Sequence, residues 1–491
     1  MNAKTVALFK PFIVVALFLF VFIASIYHPI DLDLGWHLKY GEYFVHHGEL
    51  LRENSFSSTM TTFRWANGSW GTDVISYVIY QYLGGFFGLT VASALLVVLT
   101  FFFYAKAFKL GLFDQSLLFP LLILLERPVH LVSFRGIQIS LFFMSVLVYL
   151  LSKYKPLSRM MLFVPVLILF WVNIHTEVFM GLGLLGLWAF IKCLQHSHHE
   201  KKIFCPENRF LAVIFVISSV LTLLNPFGVR IHTTAFTHVM SSNLIFVNQY
   251  FPIFAYSELF VAHVLLVATV GVVLVYWFLK RKDRFNHYLP IVAPGLILLI
   301  LAFWTSRYVW PAYFLVIPLL VPLIDFIKIK IQPYEFTVSI VIVSVGILIA
   351  FFYKIPLTSY TEMTWPDYCT YIVTPCSVEA AQFLIDNNLT NNVLTYYDWG
   401  GWLIFNYPEI KPTVDGRMHM WEDDSGYSAM AEYLPILVGR KPINETPYTV
   451  VFIERTSPLY RELKILSKDG EWDEVYEDRA AAIFKKSIEF N

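Results

Sequence analysis

The sequence predicts a mainly α-helical, polytopic membrane protein with about 11 transmembrane helices and a C-terminal extracytoplasmic α/β domain. The 491 residues are 57% hydrophobic and only 15% charged, a balance typical of integral membrane proteins. Long apolar runs recur up to residue 353, and after Lys354 the runs shorten while acidic residues, Pro and Gly return. The formal net charge is zero, so no basic surface favours a nucleic-acid partner.

The apolar runs define the predicted spans. A membrane-spanning helix needs roughly 20 apolar residues to cross a hydrocarbon core about 30 Å thick. The runs that meet or approach this length are 9–28, 86–105, 112–126, 136–152, 160–174, 178–194, 210–225, 258–279, 288–304, 309–325 and 336–353. The first run follows Lys4 and Lys10 as in a signal peptide, but no small-residue cleavage site stands before Asp31, which favours a retained helix. Residues 1–353 are therefore predicted as a transmembrane domain with a long first outer loop, 29–85.

The distribution of Lys and Arg predicts the orientation. Positive residues close to the ends of spans stay in the cytoplasm, and with a cytoplasmic N-terminus most of them fall in the inner loops. The first outer loop and residues 354–491 are then extracytoplasmic in a multi-pass protein of the cell (inner or plasma) membrane. Cys369 and Cys376 lie in that oxidising compartment, where both a disulfide and two free thiols remain open.

Residues 354–491 read as a small soluble α/β domain. Predicted strands and predicted helices alternate along these residues, which indicates one sheet layered with helices. The predicted helices lie near 378–387, 400–407, 427–437 and 458–466, and the predicted strands at 392–397, 413–415, 449–454, 474–477 and 481–485. Asp398 to Gly401 read as a strand-to-helix turn, and Asp415 with Arg417 as a structural ion pair. No G-x-G-x-x-G follows a predicted strand, so nucleotide binding is not predicted.

Polar and ionisable side chains collect at the outer ends of the apolar runs. An ionisable side chain near the bilayer centre costs about 2.5–3.5 kcal/mol, so such residues are usually paired or functional. The first outer loop supplies Asp31, Asp33, Trp36, His37, Trp65, Trp70 and Asp73, and later outer loops supply Arg127, Arg135, His175 and Arg307.

This composition favours transfer of a sugar from a lipid phosphate. A carboxylate can accept the proton of the acceptor, cations can hold the departing phosphate, and flat aromatic faces can pack against the sugar. Asp33 or Asp31 would act as the base. The expected substrate contacts are His37, Trp36, Trp65, Trp70, Asp73, Arg127, Arg135, His175 and Arg307, with the arginines on the phosphate.

Other roles stand beside these. Asp31 and Asp33 are also suited to a helix N-terminus, and with His37 they are also suited to hold a divalent cation such as Mg or Mn. The sequence does not decide between a site with a metal and a site without one. The tryptophans fit the commoner role of interfacial anchors. Arg307 fits a salt bridge to Glu126 or Glu177.

Short motifs extend over most of the chain. They are D-x-D-x-x-W-H-L-x-x-G at 31–41, W-x-N-x-x-W at 65–70, R-P at 127–128, W-x-N-x-H at 171–175, N-P-F-G at 225–228, S-R at 306–307, Y-D-W-G-G-W-L at 397–403 and V-D-G-R at 414–417. Together they resemble bacterial polytopic glycosyltransferases of the GT-C fold, which are related to the dolichyl-phosphate-mannose protein mannosyltransferases. The resemblance implies a polyprenyl-phosphate-linked sugar donor and an acidic base in the first outer loop, with Asp33 preferred to Asp31. The acceptor would be a glycan, a lipid or a protein.

Two other functions remain open. A ligase or polymerase that joins lipid-linked glycans would depend on Arg and His rather than on an acid of the first loop. A transporter or lipid-binding scaffold would place broken helices and charges near mid-membrane. The charges of this sequence lie instead at the ends of its apolar runs, which argues against a transporter.

Overall fold

The computed structural model describes residues 3–125, 134–240, 251–332 and 334–487. The chain forms two compact units, and neither is continuous in sequence. Unit 1 comprises Met1–Tyr27, Thr90–Val229 and Ile245–Leu357, and unit 2 comprises His28–Leu89, Arg230–Leu244 and Thr358–Asn491. The first outer loop therefore belongs to the same compact unit as the C-terminal residues. The linear domain boundary at residue 353 stays a prediction.

Unit 1 is built from helices. It contains Ala3–Ala24, most of Gly85–Ala107, Leu112–Leu125, Gly136–Lys153, Phe163–Val172, Val178–Glu200, Pro206–Leu221, Ser257–Lys280, Lys282–Leu301, Val309–Val316, Val321–Ile331 and Glu335–Tyr353. The first helix packs against the last, and Lys282–Leu301 packs against Val309–Val316. The predicted mainly α-helical class is thus confirmed.

Six helices of the described residues are long and apolar enough to cross a membrane. They are Lys4–Ala24, Gly85–Ala107, Gly136–Lys153, Val178–His198, Ser257–Lys280 and Glu335–Tyr353, and each overlaps a predicted span. Three more predicted spans coincide with shorter apolar helices, Leu112–Leu125, Arg159–Val172 and Phe285–Leu301. The predicted count of about 11 spans is therefore not confirmed.

Two prolines interrupt the predicted span 309–325. The helix Val309–Val316 gives way to a 3-10 segment, Ile317–Leu320, before Val321–Ile331 begins. Pro318 and Pro322 stand at this break, and proline has no N–H to donate to the preceding turn. Every residue of Val309–Val316 is buried, so apolar composition here reflects a packed interior helix.

Unit 2 combines short helices with a sheet of four strands. The helices are Leu34–His47, Trp70–Tyr82, the start of Gly85–Ala107, Arg230–Met240, Thr358–Thr361, Trp365–Tyr371, Val378–Asp386, Gly400–Asn406, Ala429–Leu437 and Pro458–Lys468. The strands are β1 (Val393–Thr395), β2 (Val450–Glu454), β3 (Trp472–Glu477) and β4 (Ala481–Lys486). The order across the sheet is β1-β2-β4-β3, with β1 parallel to β2 and the other pairs antiparallel.

One predicted strand, 413–415, is wrong. Thr413 runs beside β1, but side chains make the connections that a strand would make through its backbone. The Thr413 N–H donates to Oγ1 of Thr395 at 2.9 Å, and the Thr395 N–H donates to Oγ1 of Thr413 at 3.1 Å. The chain then enters a tight turn that contains Gly416. Gly416 belongs to the candidate site.

Candidate functional site

Asp33 lies at the beginning of the helix Leu34–His47, at its N-cap position, but its side chain does not cap the helix. Instead, Nε1 of Trp36 donates a hydrogen bond of 2.9 Å to Oδ1 of Asp33. The backbone N–H of Asp33 donates to Oδ1 of Asp31 at 3.1 Å. Asp33 is partly exposed, whereas Asp31 is buried. The two acids therefore have different roles: Asp31 fixes the backbone that presents Asp33.

Two glycines of the C-terminal residues, Gly401 in the helix Gly400–Asn406 and Gly416 in a turn, approach Asp33 closely. A Cβ atom at Gly416 would lie 1.8 Å from Oδ1 of Asp33, and a Cβ atom at Gly401 would lie 2.3 Å from the Leu32 carbonyl oxygen. Gly35 faces the same contact, since its Cβ would lie 1.9 Å from the Gly401 carbonyl oxygen. Only residues without a side chain allow this approach. The D-x-D motif and both C-terminal motifs thus meet at one point of unit 2.

Further ionisable groups surround Asp33. Burial, reinforced by the negative charges of Asp33 and Glu454, raises the pKa of Asp398, although a hydrogen bond of 2.5 Å from Oγ1 of Thr374 opposes the rise. Burial, together with the carboxylates of Asp33, Asp415 and Asp398, raises the pKa of the Tyr397 phenol. Asp33 therefore shares one electrostatic environment with Asp398, Asp415 and Glu454.

The Asp415–Arg417 pair anchors the Gly416 turn, as the sequence predicts. Nε and Nη2 of Arg417 each donate to a carboxylate oxygen of Asp415 at 2.7 Å, and the pair is almost fully buried. Burial opposes ionisation of Asp415, but the Arg417 guanidinium holds the pKa of Asp415 below its ordinary value. Nη2 also donates to Asn54 and Ser57 of the first outer loop at 3.0 Å. The ion pair thereby joins that loop to the C-terminal residues.

Three aromatic rings enclose the Arg417 guanidinium. Its central carbon lies 5.0 Å from the centroid of Phe56, 5.2 Å from that of Trp65 and 5.2 Å from that of Trp421. Trp65 also contacts the edge of Trp36, and both are buried in the core of unit 2. The rings of Trp36 and Trp65 therefore pack against protein side chains, which favours a structural role for them over contact with a sugar.

Asp73 orients His37. Nδ1 of His37 lies 2.6 Å from Oδ1 of Asp73, and Nδ2 of Asn67 donates to the other carboxylate oxygen at 2.6 Å. A carboxylate only accepts hydrogen bonds, so the Nδ1 atom carries the proton in this contact. Asp73 is fully buried on the helix Trp70–Tyr82, and the contact ties that helix to Leu34–His47.

A disulfide lies beside Asp398. Cys369 and Cys376 are bonded to each other, which selects one of the two alternatives that the sequence left open. The closed loop contains Thr374, whose hydroxyl reaches Asp398, and Nε1 of Trp399 donates to the carbonyl oxygens of Thr374 and Pro375. The disulfide therefore restrains the loop that contacts the second acid of the group.

Trp70 begins the helix Trp70–Tyr82 in unit 2 and packs against Phe44. The other remaining predicted residues belong to unit 1 or lie outside the described residues. Nη2 of Arg307 donates to Oε1 of Glu177 at 3.3 Å, which is one of the two salt bridges named above as an alternative. Nδ1 of His175 lies 3.4 Å from Oε2 of the same buried carboxylate. Arg135 precedes the helix Gly136–Lys153. Arg127 lies outside the described residues, as does Glu126.

The metal hypothesis gains no support from the geometry. Within residues 3–125, 134–240, 251–332 and 334–487, no three or more His, Cys, Asp or Glu side chains are grouped so as to hold an ion. Asp31 points one oxygen at a backbone N–H, and His37 is engaged by Asp73. A divalent cation held by Asp31, Asp33 and His37 therefore stays a prediction.

We expect Gly416→Ala to lower the free energy of unfolding by about 1–3 kcal/mol, the range typical of overpacking. The added methyl would displace the Asp33 carboxylate from its hydrogen bond with Trp36. In an Asp33→Ala background the methyl meets no carboxylate, so the same substitution should cost at least about 0.5 kcal/mol less, a coupling that a double-mutant cycle of thermal unfolding measures.

The matched control for that cycle is Gly183→Ala, because a Cβ at Gly183 meets no atom within 4 Å. Its effect should be small and unchanged by Asp33→Ala. Equal costs of Gly416→Ala in both backgrounds would show that residues 33 and 416 do not press on each other.

Comparison with known proteins adds no relative. No protein-family model matches the chain, and no protein of curated function matches it.

Proposed function

We propose that this protein is an integral-membrane glycosyltransferase that transfers a sugar from a polyprenyl-phosphate-linked donor to an extracytoplasmic glycan, lipid or protein. The observation that carries the proposal is the setting of Asp33. Its carboxylate is partly exposed, held by Trp36 and bounded by Gly416, in a chain whose described residues include six candidate membrane spans. The likeness of the motifs to GT-C glycosyltransferases supports the same class.

The reaction requires one base. A hydroxyl oxygen of the acceptor forms a bond to the anomeric carbon of the sugar while the bond from that carbon to the phosphate oxygen breaks. The hydroxyl proton passes to Asp33, and the bonding electrons leave with the polyprenyl phosphate. A carboxylate fixed by a hydrogen bond and by close packing needs little rearrangement to accept the proton, which favours catalysis.

Arg307 is the candidate for the contact with phosphate. The guanidinium has five N–H donors, so a hydrogen bond to Glu177 is compatible with a second acceptor. Its side chain is 18% exposed, whereas that of Glu177 is 2% exposed. Glu177 would then hold the guanidinium in place while a phosphate, which suits the planar fork of Arg, binds its exposed edge.

Cysteine chemistry supports an extracytoplasmic unit 2. The disulfide Cys369–Cys376 belongs to unit 2, whereas the free thiols of Cys193 and Cys205 belong to unit 1. Disulfides persist in oxidising compartments and are rare in the cytosol. We therefore propose that the N-terminus is cytoplasmic and that unit 2 faces the outside of the cell membrane.

A ligase or polymerase of lipid-linked glycans is the second candidate. The specific observation in its favour is the group of Arg307, Glu177 and His175 in unit 1. Such an enzyme would break a bond to a lipid diphosphate, whose greater charge calls for more cationic contacts.

The test is a panel of short-chain polyprenyl-phosphate and polyprenyl-diphosphate sugars offered with acceptors to the purified protein. We expect sugar transfer from a monophosphate donor. Transfer from diphosphate-linked glycans alone would favour the ligase, and tight binding of donors without turnover would favour a scaffold. A tag after Asn491 should be accessible from outside intact cells, and a cytoplasmic tag would overturn the orientation.

A further inference from the structure

The helix Trp70–Tyr82 has its polar side turned inward and its apolar side turned outward. Its buried residues include Thr72, Asp73 and Ser76. Ile75, Val78 and Tyr82 recur at helical spacing on the other side and are 38%, 37% and 63% exposed. A helix on the surface of a water-soluble protein shows the opposite arrangement, so water is not the natural surroundings of this outer face.

The chain that follows this helix restricts what can cover the outer face. Leu83 is also exposed, and Gly84 and Gly85 have φ values of +98° and +63°. Two successive residues in this left-handed region end the helix and redirect the chain. The next helix, Gly85–Ala107, is a candidate membrane span. The C-terminal end of Trp70–Tyr82 therefore lies within two residues of a segment that enters the bilayer.

We propose that the helix Trp70–Tyr82 lies in the lipid headgroup region, with Ile75, Val78, Tyr82 and Leu83 inserted among the acyl chains. This assignment goes beyond the proposed reaction and does not depend on it. In the neighbouring helix Leu34–His47, Leu38, Tyr40 and Gly41 are buried, whereas the helix Trp70–Tyr82 carries the exposed apolar face.

The chemistry of the face identifies the kind of lipid contact. No Lys or Arg occurs between Arg64 and Lys106, so electrostatic attraction to anionic headgroups is not available. Insertion depends on burial of apolar side chains alone. It is therefore expected in neutral and in anionic bilayers alike, and at low and high salt.

Insertion of this helix also sets the height of the candidate site. Asp73, on its inner side, binds His37 and Asn67, and the helix packs against Leu34–His47, which begins directly after Asp33. The lipid-facing helix thereby holds the Asp33 helix at a fixed level above the membrane.

The test uses single-cysteine variants in proteoliposomes of phosphatidylcholine. The background replaces the free thiols, Cys193→Ser and Cys205→Ser, and keeps the disulfide. Val78→Cys carries an environment-sensitive fluorophore. The matched control is Val438→Cys, because Val438 is an equally apolar residue of unit 2 that is 46% exposed and follows the short helix Ala429–Leu437.

We expect nitroxide-labelled lipids to quench the probe at 78 at least about threefold more strongly than the probe at 438, as an inserted apolar face requires. Aqueous iodide should show the reverse order. Adding anionic lipid or salt should leave the quenching at 78 unchanged. Iodide quenching at 78 equal to that at 438 would overturn the proposal. Protection of the probe at 78 from both quenchers would also overturn it, because protein and not lipid would then cover the face.

Discussion

Asp33→Asn is expected to lower the turnover of the proposed glycosyl transfer by about 10²–10⁴-fold, the usual contribution of a general base. The amide has the shape of the carboxylate, and its oxygen can still accept the hydrogen bond from Trp36. Its basicity, however, is lost. Donor binding and thermal unfolding should therefore change little, and the loss should appear in turnover measured at saturating donor.

The matched control is Asp31→Asn. Asp31 is buried, and one of its oxygens accepts the backbone N–H of Asp33, a hydrogen bond that an amide oxygen also accepts. We expect a much smaller loss than for Asp33→Asn. Unimpaired turnover in Asp33→Asn would remove the catalytic assignment, and equal large losses in both variants would indicate that the two acids act together.

Arg417→Met is expected to lower the free energy of unfolding by about 3–5 kcal/mol, the cost of removing one partner of a buried ion pair. Asp415 would remain fully buried with its charge unpaired, and Asn54 would lose its hydrogen bond from the guanidinium. Thermal unfolding of the purified protein in detergent measures the loss. Because the pair joins the first outer loop to the C-terminal residues, proteolysis within 49–64 should increase in parallel.

Arg64→Met is the control for this prediction. Arg64 also pairs with an acid of the first outer loop, Glu53, but both side chains are more than half exposed, and exposed pairs contribute little. Replacing both partners, as in Asp415→Leu with Arg417→Met, should recover part of the stability, because no buried charge remains. A loss from Arg417→Met no larger than that from Arg64→Met would contradict the structural role.

The long apolar helices could be predicted from the sequence, because they follow from local composition. Each of the six long apolar helices overlaps a run that the sequence marks as a span. The run 309–325 is equally apolar, yet it breaks at Pro318 and Pro322 and is largely buried. Apolar length alone does not separate a helix that faces lipid from one that faces protein.

Only part of the candidate site could be predicted from the sequence. Asp33 stood out because two acids followed by Trp and His exceed what a helix cap requires. Gly416 did not stand out, since its closeness to Asp33 joins residues from opposite ends of the chain. The glycines inside the Y-D-W-G-G-W-L and V-D-G-R motifs were the available signal, because a glycine between large residues often marks a close approach of backbones.

The roles given to tryptophan and arginine show the same limit. The sequence predicts Trp65 as a substrate contact or an interfacial anchor, but Trp421 and Arg417 pack against it, and neither lies near it in sequence. Arg307 was expected on a phosphate or on an acid, and the pairing with Glu177 depends on helices that sequence periodicity does not place side by side. Which side chains meet is a property of packing, and packing is not local.

The discontinuity of unit 2 has a consequence for biosynthesis. Its first segment, His28–Leu89, leaves the ribosome long before Gly416 and Arg417 are made. At about 5–20 residues per second, the roughly 330 residues between Leu89 and Arg417 take on the order of 15–65 seconds to make. During that time Asp33 lacks its contact with Gly416, and the first outer loop lacks its hydrogen bonds from Arg417. A nascent chain that has not reached residue 417 therefore carries an incomplete candidate site.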